Sequence, residues 1–346
     1  MMTPLKAKRP IHNRYLPILA MVLASLLAAC SPRIIDLGPP QRDAQLLTAH
    51  LSTPDGLALP YRSWMPSATP RAIIIALHGF NDYSHFFEDP AQFFAAQGIA
   101  SYAYDQRGFG ASPFRGRWFT TDSYIADARA FSQLIAKRHP GVPIYVLGES
   151  MGGAVAMSLV AEHETPWISG VILSAPAVWG RDAMPFYQTT ALWIGAHTFP
   201  STRLTGRGLK IKPSDNIEML RALGRDPWVI KGARIDAIYG LVDLMDRALD
   251  ASYSFDKKSL ILYGVRDDIV KGGPTRMMFS RLPNAPTQSR RIAVYEGGYH
   301  MLLRDLSAQK IWTDIVHWID NAATLLPSGA DTAAKKYLAD VEVHVR

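Results

Sequence analysis

The segment Gly148-Glu149-Ser150-Met151-Gly152 constrains this chain more than any other. It follows a short apolar run, Pro143–Leu147, that reads as a strand, and it opens a stretch of helical composition, Met151–His163. A serine between two glycines on a strand-to-helix turn presents its hydroxyl at the end of a sheet. The glycines leave room for a turn that bulkier residues would block. The fold must therefore supply a buried strand before Ser150 and a helix after it.

The rest of the chain agrees with that demand. Leu46–Thr53 and Leu57–Trp64 read as strands around the turn Pro54-Asp55-Gly56, and Ala72–Leu77 is an almost wholly apolar run of the kind buried on both faces of a parallel sheet. Strands at Ile99–Tyr104, Gly170–Ser174, Ser259–Gly264 and Arg290–Tyr295 alternate with helices near Pro90–Gln97, Asp122–His139, Pro274–Arg281 and Asp305–Asn321. Such alternation implies βαβ units and a mostly parallel sheet. One stretch, Ala177–Asp256, breaks the rhythm with about 80 residues rich in Trp, Met and Tyr, an insertion that predicts a second domain or a lid. Its aromatics Trp179, Phe186, Tyr187, Trp193, Phe199 and Trp228 suit an acyl pocket or the insertion's own core. Residues 327–346 read as a peripheral tail.

A serine hydroxyl needs an adjacent base to become a nucleophile. Glu296-Gly297-Gly298-Tyr299-His300 lies just beyond the last predicted strand, where a loop can return the imidazole of His300 to Ser150. His139 and His163 fall at helix ends, and His317 lies on the last helix. An acid that orients His300 should follow Ser259–Gly264, and Gly264-Val265-Arg266-Asp267-Asp268 offers two carboxylates that spacing does not separate. The negative charge of an acyl-transfer intermediate calls for two backbone N–H donors. Met151, after the nucleophile, supplies one, and Phe80 in His78-Gly79-Phe80 supplies the other.

His78-Gly79, Asp105-x-Arg107-Gly108-x-Gly110-x-Ser112, the pentad around Ser150, Gly264-x-x-Asp267 and Gly-x-x-His300 stand in order along the chain. Together they resemble the monoacylglycerol lipase and lysophospholipase branch of the α/β-hydrolases, over roughly Leu46 to Asn321. The resemblance implies an α/β-hydrolase fold: a mostly parallel eight-stranded sheet flanked by helices, residues 46–176 and 257–326, with a helical cap, residues 177–256, between the sixth and seventh core strands. It makes Asp267 the acid, leaves Asp268 outside the triad, and assigns the oxyanion hole to Phe80 and Met151. It also implies a serine hydrolase that cleaves lipid esters, monoacylglycerols or lysophospholipids, with no metal or organic cofactor and no obligate protein partner. Position 81 departs from the branch, where histidine-glycine-x-glycine is frequent and this chain has Asn81. Asparagine tolerates left-handed backbone angles better than most residues. The Asp105–Ser112 segment reads as a tight structural loop. A short-chain carboxylesterase, an acyltransferase and an aminopeptidase share the fold; a non-catalytic binding lipoprotein would have no use for the intact Ser150, Asp267 and His300.

The N-terminus reads separately. Lys6, Lys8, Arg9 and Arg14 precede an uncharged apolar run, Leu16–Ala29, too short for a comfortable membrane span. This is the pattern of a secretory signal peptide over residues 1–29. Leu27-Ala28-Ala29-Cys30 resembles the lipobox of bacterial lipoproteins, which makes Cys30, the only cysteine, the lipidation site and residues 30–45 a tether. Membrane attachment through Cys30 in a bacterial cell envelope follows, and Ser31 points to the outer membrane. Removing residues 1–29 deletes four cations and no acid, so the formal charge falls from +7 to +3. The basicity is mostly a targeting feature and gives no footing for nucleic acid.

Overall fold

The computed structural model describes residues 31–206, 208–286 and 289–344. The predicted signal peptide and Cys30 lie outside the described residues.

Strands β1 (Gln45–Leu46), β2 (His50–Ser52) and β3 (Ala58–Trp64) lead into β4 (Ala72–Leu77), α1 (Glu88–Ala96), β5 (Ile99–Tyr104), α2 (Thr121–Arg138), β6 (Ile144–Glu149), α3 (Met151–Glu162) and β7 (Ile168–Ser174). An insertion follows, with α4 (Phe186–Thr198), β8 (Arg203–Leu204), α5 (Ile217–Arg225), β9 (Ala233–Arg234) and α6 (Ile235–Ala251). The chain ends with β10 (Ser259–Gly264), α7 (Gly272–Arg281), β11 (Arg290–Tyr295), α8 (Ala308–Asp320) and α9 (Ala330–His344). Apart from the two-stranded pairing of β8 with β9, the strands form one sheet in the order β1-β2-β3-β5-β4-β6-β7-β10-β11. The pairings from β1 to β5 are antiparallel, and all later ones are parallel.

The apolar runs become central strands because both of their faces are covered. In β4, Ile73, Ile75 and Leu77 face a layer built with Phe131 of α2, Val155 of α3 and Leu244 of α6. Ala72, Ile74 and Ala76 face the opposite layer, with Phe94 of α1 and Ile315 and Trp318 of α8. The period-2 alternation of a strand thus feeds two cores at once. It also brings the carboxyl ends of β4, β6, β10 and β11 to one edge, where the loops after them meet.

Four features differ from the sequence expectation. The sheet has nine strands among the described residues because the predicted strand Leu46–Thr53 folds back on itself. Leu47 N–H donates to His50 O (3.0 Å), and Leu46 pairs with Leu51. The expected cap, residues 177–256, is not uniform. Its last helix, α6, packs on α3 with Leu241, Leu244, Ala248 and Leu249 buried in the main core. A Cβ on Gly240 would lie 2.1 Å from the ring of buried Trp118, so α6 is seated as closely as a core helix can be. Most of the exposed apolar surface of the insertion precedes α6. The expected tether, residues 30–45, lies along the body: Ile35 N–H donates to Trp118 O (2.8 Å), and Thr120 N–H donates to Ile35 O (3.2 Å). The expected peripheral tail, residues 327–346, instead holds α9, which covers β11. A sheet-edge strand needs such cover, and buried Asp331 anchors the helix by accepting from Arg291 of β11.

Candidate active site

Ser150 stands between β6 and α3 with φ 53° and ψ −113°, a conformation that is strained for a residue with a Cβ. The surroundings impose it. Ser150 N–H donates to Ser174 O (2.9 Å), and Ser150 O accepts from Ala177 N–H (2.9 Å) and Ala154 N–H (3.1 Å). Gly152 is required by contact: a Cβ there would lie 2.1 Å from Leu77 O of the neighbouring strand.

Asp267 and His300 meet across two loops. Asp267 is 5% exposed, and its Oδ1 accepts from the N–H groups of Ile269 (2.8 Å) and Val270 (2.9 Å). Its Oδ2 lies 2.7 Å from His300 Nδ1. With Nδ1 donating to Asp267, the remaining ring nitrogen, Nε2, keeps the lone pair that a general base needs. The loops are tied directly, since Arg266 N–H donates to Gly298 O (2.9 Å). Asp268 points elsewhere and accepts from Lys212 N–H (3.2 Å) of the insertion. The two adjacent carboxylates left open by spacing are therefore different in the fold: one orients the histidine and the other caps a loop.

The loop after β4 lies against the nucleophile. A Cβ on Gly79 would be 3.4 Å from Ser150 Cβ, so the backbone of His78-Gly79-Phe80 passes beside the serine. The Phe80 ring packs on Phe109 (5.6 Å) and Trp118 (6.0 Å), which fixes the turn. Met151 is the first residue of α3, whose opening N–H groups lack intrahelical acceptors. Asn81 adopts φ 70°, the left-handed angle expected of a glycine substitute, and its carbonyl accepts from Ile230 N–H (2.9 Å) of the insertion.

Behind this loop, His78 is fully buried. Its Nε2 accepts from Gln106 N–H (2.9 Å), which leaves Nδ1 to donate to Gly79 O (2.8 Å). Burial holds its pKa below the ordinary histidine value. The Asp105–Ser112 segment is structural: Asp105 accepts from Ser84 N–H (3.0 Å) and Ala111 N–H (2.8 Å), and buried Arg107 pairs with Asp55 and Asp127.

Sequence reasoning missed a second buried cluster. Arg304 Nη2 lies 2.8 Å from Asp82 Oδ2 and 2.8 Å from Glu149 Oε1, and all three residues are buried. Burial raises the Glu149 pKa. For Arg304 burial opposes the charge, but Asp82 and Glu149 outweigh it and hold the guanidinium more firmly charged than usual. The only sequence signal was an arginine four residues after His300, at the end of the apolar stretch Met301–Leu303.

The insertion's aromatics do not form a core of their own. Phe186, Tyr187 and Trp193 are exposed, since α4 rests on α6 by one narrow side near Gly195 and Ala196, and Phe199 after α4 and Trp228 after α5 are exposed as well. No group of three or more His, Cys, Asp or Glu among the described residues is arranged to hold a metal ion, and none of the described helices is long and apolar enough to cross a membrane.

Residues 68–307 match the family model described as "Serine aminopeptidase, S33". Among curated proteins, the chain is 26% identical over 269 residues to a monoacylglycerol lipase of Mycolicibacterium smegmatis, covering 76% of this chain and 93% of that protein. It is 28% identical over 300 residues to the monoglyceride lipase of Mus musculus, covering 85% and 94%. Its fold resembles that of a soluble variant of monoglyceride lipase from Saccharomyces cerevisiae solved with a substrate analog, with a TM-score of 0.66 and 21% identity over 85% of this chain and 99% of that one.

Proposed function

The chain belongs to the Hydrolase_4 family of α/β-hydrolases, and from that premise we propose that it is a serine hydrolase cleaving carboxylic esters of single-chain lipids, monoacylglycerols foremost and lysophospholipids next. The observation that carries the reading is Ser150, held on its strained turn at the same sheet edge as the Asp267–His300 pair. Ser150 Oγ attacks the ester carbonyl while His300 Nε2 takes its proton, and the tetrahedral oxyanion is held by the N–H groups of Phe80 and Met151. His300 then protonates the leaving glycerol oxygen, which departs as the alcohol. Water, deprotonated by the same nitrogen, releases the fatty acid and regenerates Ser150.

The names of the relatives support a monoacylglycerol substrate, and the exposed aromatic face of α4 supports contact with lipid. We extend the reading to a bacterial envelope lipoprotein, processed before Cys30 and held at the membrane by lipid on that residue. Its support is the run from Lys6 to Cys30.

The test is kcat/KM across monoacylglycerols of increasing chain length, below their aggregation limits, beside lysophospholipids, short nitrophenyl esters and aminoacyl nitroanilides. Each enclosed methylene is worth about 0.8 kcal/mol, so a rise of about fifteen-fold per two carbons, with a plateau once the pocket is full, is expected. A flat profile would move the reading to a short-chain esterase, and cleavage of the nitroanilides alone to an aminopeptidase.

A further inference from the structure

Three loops must hold their relative positions for Ser150 to work. Phe80 rides on the loop after β4, Met151 on the turn after β6, and His300 on the loop after β11. Each of these loops also carries one member of the buried charge cluster: Asp82 two residues after Phe80, Glu149 two before Met151, and Arg304 four after His300. A single nitrogen, Arg304 Nη2, stands 2.8 Å from both carboxylates. Asp82 in turn closes the turn that bears Phe80, because its own N–H donates to Gly79 O (3.2 Å) and its Oδ1 accepts from Tyr83 N–H (2.9 Å).

We propose that Arg304 is a positioning residue, which clamps the two donors of the oxyanion hole in register with each other and with the histidine loop. The inference rests on the reading of Ser150 as nucleophile. Stability alone is a poor account of the cluster. Two acids and one cation taken out of water cost more than well-packed apolar side chains of similar volume. A fixed geometry is what such a cluster supplies in return. Donor placement within a fraction of an ångström governs how well a developing oxyanion is held. Arg304 reaches neither substrate nor Ser150 in this account. It acts through Asp82 on Phe80 and through Glu149 on Met151.

Arg304→Met alone would strand two buried carboxylates and could unfold the chain. The informative variant removes all three charges together: Asp82→Asn, Glu149→Gln and Arg304→Met. Three quantities are compared with the parent: thermal midpoint, kcat and KM on a nitrophenyl ester, and the second-order rate of Ser150 labelling by a fluorophosphonate, whose P=O oxygen occupies the same hole. The triple variant should fold and keep KM within about two-fold, with kcat and labelling rate each at least about ten-fold lower, a fraction of the effect of deleting a donor outright. Arg304→Lys, which still places one cation between the carboxylates, should recover kcat to within about three-fold of the parent. If the triple variant does not fold, Asp82→Asn decides, with kcat at least about three-fold lower at constant KM expected. Labelling and kcat within about three-fold of the parent in the folded triple variant would overturn the proposal, as would unchanged kcat in Asp82→Asn or a loss confined to the thermal midpoint. The outcome does not depend on the natural substrate. A parent that labels but cleaves no monoacylglycerol would fail the substrate reading alone.

Discussion

Asp267→Asn is the substitution whose consequence the geometry dictates most closely. Both oxygens of Asp267 are committed: Oδ1 accepts from two backbone N–H groups, Ile269 and Val270, and Oδ2 faces His300 Nδ1. An asparagine has only one acceptor oxygen, and the two N–H groups claim it. The amide NH₂ is then forced to face Nδ1, which must turn from donor to acceptor. The imidazole proton moves to Nε2, the nitrogen that should receive the proton of Ser150, and the base is disabled. A loss of this kind is about 10⁴-fold in kcat, or roughly 5.4 kcal/mol in the barrier. Because every hydrogen bond retains a partner, thermal stability should barely move. Asp268→Asn is the internal control: among the described residues its carboxylate accepts from Lys212 N–H alone, an amide oxygen does the same, and kcat should stay within about two-fold. Steady-state kcat on one nitrophenyl ester for parent and both variants decides the matter. A larger loss at Asp268, or a loss below about ten-fold at Asp267, would refute the reasoning.

Ser150→Ala should abolish fluorophosphonate labelling in an intact fold, and labelling that persists would remove Ser150 from its role. His78 carries a pH signature. Burial depresses its folded pKa, so below about 6.5 the unfolded chain binds a proton that the folded chain does not, and stability should fall by about 1.4 kcal/mol per pH unit until the folded pKa is reached. His78→Gln should show a shallower fall in urea midpoint between pH 7.5 and 5.5, and an equal fall in both proteins would contradict this. Mass spectrometry of the membrane fraction should find no peptide from residues 1–29 and an acylated Cys30; an unmodified Cys30 in the mature protein would end the lipoprotein reading.

The central strands, the Ser150 turn and the loop bearing His300 were legible because each leaves a local mark. Ala72–Leu77 could only be buried on both faces, and a serine between glycines at a strand end has few structural uses. Asp267 was legible only through the family resemblance, since the choice against Asp268 is made by loop geometry. What the sequence hid is non-local. The reversal at Leu47–His50 carries no glycine or proline to announce it. Helix α6 was assigned to the insertion by its place in the chain, although its apolar stripe belongs to the core. The Arg304–Glu149 contact joins positions 155 residues apart. No periodicity reports a pairing of that kind, and an arginine closing the apolar stretch Met301–Leu303 is its only trace.

With the proposed lipid on Cys30, the docking of Ile35 beside Trp118 would set a leash length. Between Cys30 and Ile35 there are five Cα steps, which span at most about 17 Å when fully stretched. The polar region of one leaflet is about 5–8 Å deep. With an acyl group on Cys30, the body could neither drift far from the bilayer nor tumble freely above it. Its search for substrate would become a two-dimensional one, and lengthening the stretch from Ser31 to Ile34 with flexible residues would loosen that confinement without touching a single residue near Ser150.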